Sequence, residues 1–302
     1  MDSMINKIIN LRSYAKINLY LDINKKLENG YHNIETIIQT INLYDEISIK
    51  KVEDPYIYIE CNNPEVPIGR DSILYRAIEM LLKNEEKGLA VSIYKRIPLA
   101  AGLGGGSSNV ATILMGICRL FRLKLSLSQL IDLGTQLGMD IPFFLVRGTV
   151  YAKGRGEIIF PLKSIFPPIP LLLINPGIKI STKWAYHLFD EEANKADFHS
   201  TKTGFTIDYL INKNKTIKPS DIYKNIYNSF DSIISKEYSI VGHIKNHLKN
   251  MGAITVSISG SGPTVYGIFE NKNQADCAYN EIKNKYPFVY NTSTVRARNI
   301  FD

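Results

Sequence analysis

Pro98-Leu99-Ala100-Ala101-Gly102-Leu103-Gly104-Gly105-Gly106-Ser107-Ser108 is the stretch on which the fold turns. Its glycines lack a β-carbon, so the backbone there can approach a ligand closely and adopt positive φ. The stretch joins an apolar, period-two segment at 89–97 to a segment whose Val110, Ile113, Leu114, Ile117, Leu120 and Phe121 share one helical face. A strand-to-helix link of this kind leaves the first N–H groups of the helix unpaired and partially positive, which suits a phosphate. A Walker loop would end in Gly-Lys-Ser/Thr, yet Gly106 is followed by Ser107 and Ser108, and the dinucleotide pattern needs a glycine or alanine where Ser107 stands. A flexible turn with serine caps is the plain alternative. Three consecutive glycines ahead of a strongly amphipathic helix weigh against it.

Outward from the loop, the chain alternates between period 2 and period 3.6. Residues 11–23, 34–41, 46–52 and 56–60 read as strands, with a turn at Glu28-Asn29-Gly30. Asp71 is the expected N-cap of a helix carrying Leu74, Ala77, Ile78, Leu81 and Leu82 on one face. A further helix is expected at 128–137, ending at Gly138, and a hairpin at 149–160 turning at Gly154-Arg155-Gly156. Pro167, Pro168 and Pro170 fit neither a helix interior nor a central strand and mark a domain junction. The expected division is therefore 1–166 and 167–302. Beyond the junction, strands at 171–175, 254–259, 264–269 and 290–298 alternate with helices at 182–192, 240–249 and 274–285, and the polar stretch 193–220 reads as irregular or mobile. This βαββαβ-like order predicts a two-layer α+β second domain.

With 45% hydrophobic and 22% charged residues in 302, the chain has an ordinary globular composition. No apolar run approaches the roughly 20 residues a spanning helix needs, and the first dozen residues lack a signal-peptide core. Three cysteines far apart give neither a disulfide set nor a metal spacing. The expectation is a cytoplasmic protein with no membrane partner. The net charge of +7 suits a polyanionic small substrate, but nucleic acid or plain compositional bias would give the same sign. The lysines are scattered without an aromatic-basic motif, so no nucleic-acid partner is expected.

Four segments besides the loop carry chemistry-bearing residues. In Tyr14-Ala15-Lys16-Ile17-Asn18-Leu19, Lys16 sits in an apolar strand and should have an anionic partner, unless it snorkels from the strand edge. Gly30-Tyr31-His32 is a turn offering an aromatic face and an imidazole, or simply a core tyrosine. Asp140 in Leu137-Gly138-Met139-Asp140-Ile141-Pro142-Phe143-Phe144 stands just past a helix end, where a capping role is also open. Ser257-Ile258-Ser259-Gly260-Ser261-Gly262-Pro263-Thr264 lies between two strands and could be an ordinary hairpin. His243 and His247 have a zinc-like i, i+4 spacing, but no third ligand is apparent and a solvated helix face is the better reading.

The glycine loop together with these four segments, in this order, resembles the GHMP kinases. The triple glycine with Ser107, Ser108 and Asn109, and the Gly30-Tyr31-His32 turn, resemble the branch that phosphorylates the 2-hydroxyl of a cytidine-diphosphate-linked methylerythritol in the non-mevalonate route to isoprenoids. The resemblance implies a two-domain α+β fold, with a ribosomal-protein-like N-terminal β/α domain and a ferredoxin-like C-terminal α+β domain. It implies ATP as co-substrate, held by residues 98–108, with Mg²⁺, for which Ser108 is the candidate ligand. It makes Lys16 and Asp140 the catalytic pair, and it assigns the small-molecule substrate with its cytidine diphosphate moiety to Asn18, Tyr31, His32, Thr182, Tyr186, Gly260 and Ser261. Leu99, Ala100 and Ala101 replace the glycines or other small residues often seen there. A monomer or weak homodimer is expected. A homoserine or mevalonate type of kinase is the alternative, and a basic RNA-binding protein is the alternative of another class.

Overall fold

The computed structural model describes residues 8–83, 85, 88–163, 165–193, 217–223 and 225–297. Its spine is an antiparallel pair of long strands, β1 (Ile8–Lys26) and β2 (His32–Val52), paired from Ile8↔Lys50 to Lys26↔His32 with register shifts after Tyr14, Asn18 and Ile23. The sequence reads 34–41 and 46–52 as separate strands because Asn42 and Asp45 interrupt the apolar pattern. The structure runs them together, since Tyr44 and Asp45 keep pairing with Tyr14 and Ser13. The two halves of β2 differ in their other neighbour. Residues 46–52 pair with β4 (Gly88–Tyr94), which in turn pairs in parallel with β3 (Ile57–Cys61), while residues 34–39 pair with β5 (Thr149–Gly154) and its hairpin mate β6 (Ile158–Pro161).

Helices α1 (Ile73–Leu82), α2 (Gly105–Phe121), α3 (Leu127–Leu137) and α4 (Ile141–Val146) belong to the same half of the chain. The apolar stripe of α2, with Val110, Ile113, Leu114 and Ile117, shares a core with Leu11, Ile47, Ile49 and Val91 of the sheet. Ser72, not Asp71, caps α1, its Oγ accepting from Tyr75 N at 3.1 Å. α3 begins in a capping box between Ser126 and Gln129. α4 was not anticipated: at six residues with Ile141, Pro142, Phe143, Phe144 and Leu145 all buried, it has no polar face from which a helical period could be read.

The second sheet is antiparallel, in the order β11-β7-β10-β9, formed by β7 (Pro170–Asn175), β9 (Thr255–Ile258), β10 (Val265–Ile268) and β11 (Phe288–Ser293). With α5 (Thr182–Ala193), α6 (Pro219–Tyr223), α7 (Asp231–Glu237), α8 (Ser239–Asn250) and α9 (Lys272–Ile282), it gives the βαββαβ-like arrangement expected. The molecule is a two-domain α+β structure. β7 reads as an unbroken apolar run because both its faces are covered. Leu171 and Leu173 pack with Ala15, Ile17 and Leu19 of the first sheet, whereas Leu172 and Ile174 pack with Val241, Ile244 and Leu248 of α8. Of the polar stretch 193–220, residues 194–216 lie outside the described residues, as does Arg298. α6, α7 and the two-residue β8 (Tyr227–Asn228), which pairs in parallel with β1, are too short to signal themselves.

Candidate active site

The glycine loop delivers the chain into α2 with Gly104 as N-cap at φ 69° and no side chain capping the helix. Ser108 N reaches Gly104 O at 2.9 Å, so the amides of Gly105, Gly106 and Ser107 precede the first intrahelical bond and are free to meet an anion. The loop is braced from both sides. Beneath it, buried Asp45 forms an ion pair with Lys95 and accepts from Arg96 N at 2.7 Å, Ile97 N at 2.9 Å and Asn109 Nδ2 at 2.8 Å. Across from it, Ser259 Oγ donates to Gly102 O at 2.8 Å, and a β-carbon at Gly102, whose φ is +74°, would lie 2.0 Å from Ser259 O. The 257–264 segment is thus seated backbone to backbone on the glycine loop. It is held there by Asn228 Nδ2, which donates to Ile258 O and Gly260 O at 2.9 Å each.

These two loops, β1 and α5 enclose a cleft of about 380 Å³. Of the expected nucleotide-binding residues, Pro98 to Gly102 and Gly104 to Ser107 line it, while Leu103 and Ser108 do not. Ser108 is fully buried, accepting from Ser13 Oγ at 2.8 Å and donating to the Tyr14 carbonyl at 2.6 Å, which leaves it no route to a metal in the cleft. Lys16, Asn18, Asp140, Thr182, Tyr186, Gly260 and Ser261 all line the cleft.

Lys16 and Asp140, far apart in the chain, therefore face one space. Lys16 is buried, and its Nζ donates to Asn18 Oδ1 at 2.6 Å; the nearest bonded partner is an amide and not the anion expected from the sequence. Asn18 is itself fixed, its Nδ2 donating to Thr36 Oγ1 at 2.9 Å. Burial lowers the Lys16 pKa, and the negative charge of Asp140 acts against that shift. Asp140 is exposed to the cleft at the N-terminus of α4 and makes no side-chain cap. A β-carbon on Gly260 would stand 3.2 Å from Lys16 Nζ, so the second-domain loop closes directly over the lysine.

At the other end, Thr182 Oγ1 and Ser261 Oγ are 3.3 Å apart. Tyr186 is packed edge-on against Phe230 and stacked on His32 at 4.8 Å, 19° from parallel. Burial, with a smaller contribution from Asp140, raises the Tyr186 hydroxyl pKa and keeps it protonated. His32 Nε2 is 2.6 Å from Asp190 Oδ1. Burial alone would raise the Asp190 pKa, but hydrogen bonds from Lys26 and His32 outweigh it and hold the carboxyl below its usual range. Tyr31 and His32 are not part of the cleft lining. Tyr31 is 52% exposed beneath the Arg155 guanidinium, 5.3 Å from its ring centroid.

Sequence reasoning missed Lys95, Leu21, Ile34 and Phe230, which also line the cleft, and Asp190, which orients His32. Lys95 had a readable signal, a charge in an apolar strand just ahead of Pro98. Asp190 and Phe230 had none, since their roles arise only when α5 and α7 fold back on β2. Among the described residues no cluster of metal-binding side chains occurs, and none of their helices is long and apolar enough to cross a membrane.

Comparison with known proteins gives a consistent set of relatives. The family described as GHMP kinases N terminal domain matches residues 72–148, and that described as GHMP kinases C terminal matches residues 220–287. The chain is 38% identical to the 4-diphosphocytidyl-2-C-methyl-D-erythritol kinase of Thermoanaerobacter pseudethanolicus, over 96% of this chain and 97% of that one. To the enzyme of the same name from Acetivibrio thermocellus it is 36% identical, over 95% and 99%. In fold it matches a crystal structure of 4-(cytidine 5'-diphospho)-2C-methyl-D-erythritol kinase with TM-score 0.79 at 24% identity, covering 96% of this chain and 100% of that one. It also matches homoserine kinase from Cytophaga hutchinsonii with TM-score 0.74 at 16% identity, covering 99% and 98%.

Proposed function

Because this chain belongs to the GHMP kinases, and among them to the family of 4-diphosphocytidyl-2-C-methyl-D-erythritol kinases, we propose that its cleft transfers the γ-phosphoryl group of ATP to the 2-hydroxyl of 4-diphosphocytidyl-2-C-methyl-D-erythritol. The reading is carried by one observation: the uncapped start of α2, Lys16 and Asp140 line a single cleft.

Phosphoryl transfer asks for positioning and charge neutralisation more than covalent chemistry. The amides at 105–107 hold the phosphates. Asp140 takes the proton of the 2-hydroxyl as its oxygen attacks the γ-phosphorus and the bond to the β-phosphate oxygen breaks, releasing ADP. Lys16, kept in place by Asn18, lies against the transferred group and offsets its charge. Thr182, Ser261 and Tyr186 orient the substrate, and His32 supports Tyr186 by stacking. Ser107, whose hydroxyl is an oxygen donor at the cleft, would hold Mg²⁺ carried mostly by phosphate oxygens, where it would neutralise the charge of the β- and γ-phosphates.

The division into 1–166 and 167–302 is part of this proposal, supported by the change of sheet between β6 and β7. The second half returns to the first sheet through β8 and through the Ile41↔Thr294 bridge. The proposed setting is the cytoplasm, as a monomer or weak homodimer without nucleic acid.

A coupled ADP-release assay over a substrate panel, with the product position read by phosphorus NMR, tests the function. Turnover of the cytidine-linked alcohol and phosphate on its 2-hydroxyl are expected. Turnover of homoserine or mevalonate in its place would overturn the reading.

A further inference from the structure

Arg147 is an arginine in an unusual place. It ends α4 with φ 65°, is buried, and has no carboxylate partner among the described residues. Its Nε donates to Phe144 O at 3.3 Å and its Nη2 to Arg12 O at 3.3 Å and Thr112 Oγ1 at 3.1 Å. Burial lowers its pKa to about 10, so the environment is costly for the charge it carries.

The side chain lines a pocket of about 170 Å³ that shares no residue with the kinase cleft. Arg12 and Arg296 line it too, with the amide of Asn42, and no carboxylate does. Aromatic rings lie against each guanidinium: Arg12 lies 4.7 Å from the Tyr44 centroid, Arg296 4.0 Å from Phe166 and Arg147 5.5 Å from Tyr14. The nearby Glu46 is engaged by Arg96 at 2.9 Å. Capping the end of α4 accounts for the Nε bond of Arg147. It does not account for two more guanidiniums lining the same space, where like charges repel.

We propose that this pocket binds a small anion of the phosphate class, as free orthophosphate or diphosphate, at a site separate from the catalytic cleft. The pocket's size suits such a group, and planar guanidiniums match phosphate oxygens bidentately.

The test is isothermal titration of orthophosphate and, separately, pyrophosphate into the protein, with the cleft saturated by a non-hydrolysable ATP analogue and ionic strength fixed with sodium chloride. One anion per chain is expected, the tighter of the two naming the preferred form. Arg12→Ala and Arg296→Ala, both at exposed positions outside the cleft, should each weaken binding by about tenfold or more while leaving the affinity for the ATP analogue unchanged. Absence of binding in the wild-type protein, or a dissociation constant unmoved in both variants, would overturn the proposal.

Discussion

The two ends of the cleft are built on different principles. The end formed by the glycine loop is a backbone surface: its donors are amides, its shape is set by Gly102 and Gly104 at positive φ, and it is braced by the buried Asp45–Lys95–Asn109 network and by the 257–264 loop. The end formed by α5 is a side-chain surface, in which Tyr186 packs edge-on against Phe230 and stacks on His32, His32 is hydrogen-bonded to Asp190, and Thr182 meets Ser261. A backbone surface suits a group that every member of a superfamily must hold. A side-chain surface suits the group that distinguishes one member from another.

The sharpest challenge to this contrast lies where the two ends meet. Asp140→Asn and Lys16→Ala should each lower kcat by on the order of 10²-fold or more, with a smaller change in ATP affinity, because in the proposed mechanism both groups act on the moving phosphoryl and not on the bound nucleotide. Near-normal turnover of purified Asp140→Asn would remove it from the role of base.

A smaller effect is expected from the backbone end. Gly102→Ala forces a β-carbon into Ser259 O at a φ that L-residues avoid, and should cost about 1–3 kcal/mol of stability in denaturant titration together with weaker ATP-analogue binding. If ATP-analogue affinity is unchanged, the seating of the two loops on each other does not shape the nucleotide site. The least severe change belongs to the side-chain end. Tyr186→Ala should raise KM for the cytidine-linked substrate by about tenfold, the scale of a lost aromatic contact, with KM for ATP unmoved. A rise in KM for ATP would mean that the two ends have been assigned in reverse.

The same contrast explains what could be read from the amino-acid sequence. The glycine loop, α2 and the strand carrying Lys16 are legible because glycines, an apolar stripe and a misplaced charge are local signals. The βαββαβ-like order of the second half was legible for the same reason, through runs such as Leu171 to Ile174. The α5 end was read only by resemblance. Asp190 matters to the site through a contact with His32 across more than 100 positions, and Phe230 by lining the cleft beside distant residues such as Lys16 and Asp140, and no local pattern marks either of them. Ser108 misled for a related reason: a hydroxyl next to a phosphate loop looks like a metal ligand, but the helical turn points it inward, to the Tyr14 carbonyl.

The double burial of β7 has a bearing on how such a protein can change over generations. Leu171 and Leu173 answer to Ala15, Ile17 and Leu19, while Leu172 and Ile174 answer to α8, so neighbouring letters in one short word are proofread by different halves of the gene. A chimaera that joined the front of one relative to the back of another would inherit a mismatched seam unless residues 15–19 and 171–173 travelled together.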